Sequence, residues 1–252
     1  MESLEGQVAL VTGSSRGIGA AIASELADHG AAVAVHGRDR AALESVASSI
    51  QAKGGRVIRV VAELTSLAEI EAAREQIEQD LGPIDILVAN AGASITRPGP
   101  IEEIDEEGWR ASVDANLTAT FLTIKSFLPG MKARRRGSIV TISSAAGRRP
   151  HPMAPVPYAV AKAAIELMTQ DVATQAGPYG IRANCIAPDT ILTERNQERI
   201  PDEQKTSLTE AHPLKRLGTP QDVARAARFL ASEDADWITG AVIDVTGGAV
   251  MV

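Results

Sequence analysis

The chain has 252 residues, 44% of them hydrophobic but only 3% aromatic, so its core is built mainly from Ala, Val, Ile and Leu, which suits a buried parallel sheet covered by helices. A formal net charge of -7 argues against a sequence-independent grip on nucleic acid, which needs a basic surface. The single cysteine, Cys185, excludes an intrachain disulfide and a cysteine-clustered zinc site; with no long apolar run and no leader-like pattern in MESLEGQVAL, the expectation is a cytoplasmic protein without membrane contact.

Short apolar runs then alternate with amphipathic stretches. VALVT (8–12) reads as a strand followed by a helix to about Asp28, AAVAVH (31–36) as a strand followed by a helix to about Lys53, and RVIRVVA (56–62) as a strand before a helix over 66–80. IDILVAN (84–90) precedes a long helix near 106–132, and SIVTISS (138–144) precedes a helix at 157–176. IRANCIA (181–187), a helix from Thr219 to Ala231 and AVIDV (241–245) complete the series. Parallel neighbours need crossovers, which helices supply, so the rhythm predicts one α/β domain over residues 1–252, a doubly wound parallel sheet with helices on both faces. Residues 189–217 break the rhythm; polar and too long for an ordinary strand-to-helix connection, they are expected to form a substrate lid or binding loop.

The first strand runs into Thr12-Gly13-Ser14-Ser15-Arg16-Gly17-Ile18-Gly19 and then a helix. Glycines there let the backbone turn and approach a pyrophosphate, which sits on the unpaired N–H groups of the new helix. At the end of the second strand the order is His36-Gly37-Arg38-Asp39. An acid that would hydrogen-bond the adenosine ribose of NAD is missing at Gly37, and Arg38 and Arg16 offer cations to a 2′-phosphate, which favours NADP(H). Read plainly, the two arginines are solvated charges and Asp39 serves the ribose.

Tyr158 and Lys162 stand one helical turn apart on one face, where an ammonium would draw the phenol pKa down and fit the hydroxyl for proton exchange. Ser144 ends a strand at the rim where ligands bind in such sheets, Asn90-Ala91-Gly92 ends another, and Asn116 sits inside the following helix. Taken singly, Ser144 is also a cap, Asn90 a turn residue and Asn116 a surface amide. His29, His36, His151 and His212 have no paired spacing, so no metal site is expected.

Together the T-G-S-S-R-G-I-G (12–19), N-A-G (90–92), Asn116, Ser144 and Y-A-V-A-K (158–162) elements, with Asn184, Pro188 and R-L-G-T-P-Q-D-V-A (216–224), resemble the short-chain dehydrogenase/reductase family along nearly the whole chain. Within it the sequence looks most like the 3-oxoacyl-[acyl-carrier-protein] reductases. The resemblance implies a Rossmann fold and an oxidoreductase that moves a hydride between nicotinamide and a carbonyl or alcohol carbon. It implies that Tyr158 protonates the carbonyl oxygen, Ser144 orients it, Lys162 holds the nicotinamide ribose and Asn116 positions a relay water. Cofactor contacts carried over in the same way are Gly13, Ser15, Arg16, Gly17, Ile18, Gly19, Arg38, Glu63, Leu64, Asn90, Ala91, Gly92, Tyr158, Lys162, Pro188, Ile191 and Thr193. The sequence departs from the family at Glu63, commonly an aspartate, and at Asp189, usually a glycine.

The implied substrate is a small carbonyl or alcohol compound, with a 3-oxoacyl thioester foremost and a small polyol, sugar or hydroxylated ring as the alternative. A reading of another class is a dinucleotide-binding sensor without catalysis. The run Arg134-Arg135-Arg136 ends the long helix; it complements the helix dipole or docks an acidic acyl-carrier protein. A homotetramer is implied by the resemblance, through the helices at 106–132 and 157–176 and through the last strand and helix. Four prolines, at 150, 152, 155 and 157, are expected to stiffen the wall between Ser144 and Tyr158.

Overall fold

A computed structural model describes residues 3–151 and 153–251; Met1, Glu2, Pro152 and Val252 lie outside the described residues. Seven strands, β1 (Val8–Val11), β2 (Ala32–His36), β3 (Val57–Val60), β4 (Ile86–Ala89), β5 (Gly137–Ile142), β6 (Ile181–Pro188) and β7 (Val242–Val245), form one sheet in the order β3-β2-β1-β4-β5-β6-β7. Every pairing is parallel. The doubly wound sheet expected from the sequence is present.

Alternation along the strands explains the layers. Ala9 and Val11 face one apolar cluster, with Ile22 and Leu26 of α1 (Gly17–Asp28), Leu43 and Ile50 of α2 (Arg40–Ala52) and Val223 and Leu230 of α10 (Pro220–Ala231). Val8 and Leu10 face the other, with Ile70 and Ile77 of α3 (Leu67–Asp80), Phe127 and Met131 of α5 (Ala119–Arg134) and Ala173 and Ala176 of α7 (Val156–Ala176). Side chains alternate with period two, so a strand covered on both sides is apolar throughout. Strand order reverses between β1 and β4, which opens a crevice at the carboxyl ends of these strands.

Three expectations are refined. The long helix at 106–132 is α4 (Glu106–Val113) and α5 joined by a π-helical turn at Asp114–Thr118, where buried Asn116 inserts its amide into the helix and bonds Ser112 O at 2.8 Å. Residues 189–217 are not a loop but carry α8 (Glu194–Arg199) and α9 (Asp202–Ala211), each with acids in its first turn and α8 with Thr193 as N-cap. A further short helix, α6 (Ala145–Arg148), follows Ser144. Of the four prolines, Pro155 caps α7 and Pro157 lies in its first turn, where a missing N–H leaves no bond unmade.

Candidate active site

The β1–α1 turn is built around close approaches. A Cβ on Gly19 would lie 2.3 Å from Gly13 O and 2.6 Å from Asn90 Nδ2, and Gly13 has φ +64 with a Cβ position only 2.9 Å from Ala91 Cα. Only glycine packs there, and the backbone is left open to a ligand. Asn90 braces the turn: Nδ2 donates to Thr12 O at 2.9 Å and Gly13 O at 3.2 Å, while Thr12 Oγ1 accepts from Asn90 N and Ala91 N. His36 locks it from the other side, accepting from Gly13 N at Nδ1 (3.2 Å) with Nε2 3.0 Å from Ala62 O, and burial pushes the imidazole pKa down, which keeps it neutral for that role. His36 entered the sequence reading only as a poor metal ligand; its bracing role follows from the sheet register, which no local pattern carries.

Beside this turn lies a trough of about 240 Å³ lined by Gly13, Ser15, Arg38, Glu63, Leu64, Asn90, Ala91 and Gly92 from the expected cofactor set. Arg38, 82% exposed, sits 3.4 Å from Glu63, and Arg16 pairs with Asp39, whose carboxylate also caps α2 through Ala42 N. Gly17 lies under Thr193, since a Cβ there would touch Thr193 Cγ2 at 3.2 Å. Ile18 packs partly against the core, Pro188 ends β6, and the Ile191 side chain is in the apolar cluster rather than in the trough.

A cavity of about 440 Å³ continues from the trough past Gly92, with Ser144, Tyr158, Asp189 and Thr193 on its walls. Ser144 lies two residues beyond β5 and caps α6, its hydroxyl accepting from Ala146 N at 3.2 Å. Tyr158 is half-buried in the first turn of α7 and shares the cavity wall with Ser144. Lys162 is buried one turn on; Nζ donates to Ile142 O at 2.8 Å and lies 5.6 Å from the Tyr158 ring centroid. Asn116 is fully buried, with Nδ2 donating to Ala93 O at 2.8 Å and Oδ1 accepting from Ala93 N at 3.1 Å, so its side chain ties the π-turn to the loop after β4. The four expected catalytic residues thus meet around Gly92, where a Cβ would come 2.5 Å from Asn116 Oδ1 and 3.2 Å from Lys162 Nζ.

Sequence reasoning passed over the supports. Gly147 lets α6 lie on α7, since a Cβ there would sit 2.8 Å from Ala163 N. Ser143 donates to Lys162 O and Glu166 Oε1, and Arg148 bridges Glu166 and Asp244 at 3.0 Å each. The nearest sequence signal was a Ser-Ser pair at the strand end, one for the site and one for its support.

The family described as enoyl-(acyl carrier protein) reductase matches residues 13–250. The 3-oxoacyl-[acyl-carrier-protein] reductase of Haemophilus influenzae is 39% identical over 246 residues, covering 97% of this chain and 98% of that protein. Gluconate 5-dehydrogenase of Gluconobacter oxydans is 36% identical over 247 residues, covering 98% of this chain and 95% of that protein. A solved 3-oxoacyl-[acyl-carrier protein] reductase from Brucella melitensis with bound NAD has a TM-score of 0.91 and 34% identity, covering 99% of this chain and 93% of that one. The chain belongs to the short-chain dehydrogenase/reductase family. It is an oxidoreductase that uses a nicotinamide dinucleotide, and the glycine turn and trough fit that cofactor.

For this dehydrogenase/reductase the pair of Tyr158 and Lys162 stands differently from the simple expectation. Burial raises the Tyr158 pKa, partly opposed by the Ser144 side chain. Burial in turn lowers Lys162 to about 8. In the cofactor-free protein Tyr158 is therefore a neutral phenol, poised as a proton donor. Since Lys162 falls from 10.5 to about 8 on folding, the unfolded chain holds more protons between those values, and the destabilisation is full below pH 8 and fades as pH rises through that interval. Lys162→Met should therefore raise the unfolding free energy of the cofactor-free protein at neutral pH by about 1 kcal/mol or more, allowing for the orphaned Ile142 carbonyl, while dinucleotide affinity falls. Urea unfolding at neutral and alkaline pH checks this; a less stable variant at neutral pH would overturn the buried-charge account.

Proposed function

We propose that the protein is an NADP(H)-dependent carbonyl reductase and alcohol dehydrogenase in which Tyr158 is the proton donor and acceptor. The observation that carries this is that Ser144 and Tyr158 stand together on the wall of a cavity that continues from the dinucleotide trough. A bound nicotinamide would supply or take up the hydride. Tyr158 gives its hydroxyl proton to the substrate oxygen, Ser144 hydrogen-bonds that oxygen, and Lys162 holds ribose hydroxyls and offsets the phenolate left behind. Asn116 fixes the Ala93 backbone, and the relay-water role that the family resemblance implies for it belongs to the same reading. Residues 189–217 act as a lid, closing over the cavity with α8 and α9.

The substrate reading that the named relatives favour is a 3-oxoacyl or similar β-carbonyl compound. Carrier linkage gives it only a modest advantage, because the arginine run is engaged within the chain. Arg134 donates to Ile84 O at 2.6 Å, Arg135 donates to Pro178 O at 2.9 Å beside the Tyr179 ring, and Arg136 lies 3.5 Å from Asp85. The second reading, a small hydroxylated compound, is favoured by the polar cavity lining of Ser94, Thr96, Thr190, Asn196 and Gln204. Cys185, its thiol pushed up to about 11 by burial, takes no part in the chemistry.

Tyr158→Phe should lower turnover about a hundredfold or more while NADPH affinity stays nearly unchanged, because the lost hydroxyl acts on the reacting oxygen. NADPH oxidation over a carbonyl panel measures this, and near-normal kcat would discard the proton donor. NADPH should bind more tightly than NADH, and Gly37→Asp with Arg38→Ala should reverse the order. Titration of both cofactors decides it; equal affinity in the unchanged protein defeats the NADP assignment.

Homotetramer formation is supported by two groups of exposed apolar side chains, Phe121, Val160 and Leu167 on α5 and α7, and Phe229 and Trp237 near β7. Leu167, 63% exposed, should tolerate Arg as a folded monomer but not across a two-fold axis. Sedimentation should give a tetramer that Leu167→Arg reduces to a dimer; a monomeric wild type at micromolar concentration counts against the assembly.

A further inference from the structure

The substrate end of the cavity carries an excess of positive charge that the hydride chemistry does not use. Arg97, on the loop after β4, and Arg195 and Arg199, one turn apart on α8, all line it. All three are exposed, and among the described residues none lies within ion-pair distance of a carboxylate. The acids nearby are otherwise placed. Asp189 faces His151 and His212 at 3.8 Å, Asp202 pairs with Lys205 at 2.9 Å and Glu210 with Lys215 at 3.4 Å. Glu194 and Glu198 adjoin the two arginines in sequence but do not line the cavity.

In a chain of net charge -7 many arginines find carboxylates, as ten others among the described residues do. Of the described arginines without such a partner, Arg97, Arg195 and Arg199 are the ones that line this cavity, on two separate segments, and together they form a site for a bound anion. Arg195 and Arg199 are four residues apart and so share a face of α8, while Arg97 approaches from another segment; forked guanidiniums suit a carboxylate held from both sides. They share the cavity with Tyr158 and Ser144, so the anion and the reacting carbon belong to one small molecule. The phosphate of a carrier's prosthetic arm is separated from its thioester by a long chain and fits this placement poorly.

We infer that the substrate is a small hydroxy or oxo carboxylic acid whose carboxylate is held by Arg97, Arg195 and Arg199. This rests on the oxidoreductase reading of the same cavity and narrows it. The reaction balances as that reading requires: the alcohol C–H leaves as hydride to the oxidised cofactor, the O–H proton passes to the Tyr158 phenolate, and the acid group is untouched. Its recognition is charge-assisted, so it weakens with salt, whereas the contacts of a neutral polyol do not.

The test uses matched pairs, 3-hydroxybutyrate with its methyl ester and gluconate with glucitol, titrated calorimetrically into the NADP⁺-loaded enzyme. In at least one pair the acid should bind about tenfold or more tightly than its neutral counterpart, and the difference should shrink at high salt. The Arg97→Gln/Arg199→Gln variant, shown to be folded by circular dichroism and thermal melting, should lose that difference. Equal affinities in every pair, or a preference that survives both salt and the double substitution, would overturn the inference. Absorbance of the reduced cofactor separates the two levels of the argument. Turnover of esters and polyols with no preference for acids retires the anion site and leaves the oxidoreductase reading, whereas salt-sensitive acid binding without hydride transfer supports the anion site and counts against the assigned chemistry.

Discussion

All seven strands run parallel, so every connection must carry the chain back across the sheet, and every strand's carboxyl end arrives at the same rim. That constraint assembles the site. His36 ends β2, Asn90 follows β4, Ser144 follows β5 and Asp189 follows β6, so residues far apart in sequence become neighbours without any local pattern bringing them together. The order reversal between β1 and β4 then opens the crevice that the glycine turn floors. The helices that cross back contribute Tyr158 and Lys162 from the one that follows β5, on the side of the sheet where α5 brings Asn116 through its preceding turn.

Function works against stability at the centre of this arrangement. Lys162 is buried with its ammonium bonded to a carbonyl, and among the described residues no carboxylate pairs with it to offset its desolvation. A charge held in that way is supported by neighbours that are themselves over-determined: Ser143 bonds the backbone of Lys162 and the carboxylate of Glu166, and Arg148 ties Glu166 to Asp244 of β7. Gly147 permits the close packing that makes these contacts. The buried polar network behind the catalytic helix thus holds the lysine in a place that solvation alone would not choose.

The order of strands and helices was legible because both signals are local: period-two apolar runs mark strands, and amphipathic stretches with caps mark helices. Tyr158, Lys162, Ser144 and Asn116 were legible because their spacing relative to those elements is itself local. What was not legible depends on register and on solvation. The π-turn at Asp114–Thr118 exists because Asn116 bonds backwards to Ser112 and outwards to Ala93, a partner 23 residues away. The helices in 189–217 have weak apolar periodicity, so their polar composition read as loop. The arginine run turned inward to carbonyls at strand and loop ends, which charge counting does not see. In the cofactor-free protein the Tyr158 shift runs opposite to the expectation, because burial of the phenol is the larger influence and an i,i+4 spacing carries no information on burial.

Asp189 gives the cavity a direction. It is 8% exposed and stands 3.8 Å from His151 of one wall and from His212 beyond α9, too far for a hydrogen bond. Its carboxylate lies at the sheet rim, with its backbone N–H bonded to Val245 O, while the free arginines lie on the segments that arch over the cavity. A negative group entering between them is repelled from the rim and drawn toward the arginines. A substrate with one charged end and one carbonyl or hydroxyl end is thereby aligned, its neutral end toward Ser144 and Tyr158. A neutral substrate would meet no such field, so the Asp189 carboxylate and the unpaired arginines act together, as two ends of one electrostatic gradient across a small cavity.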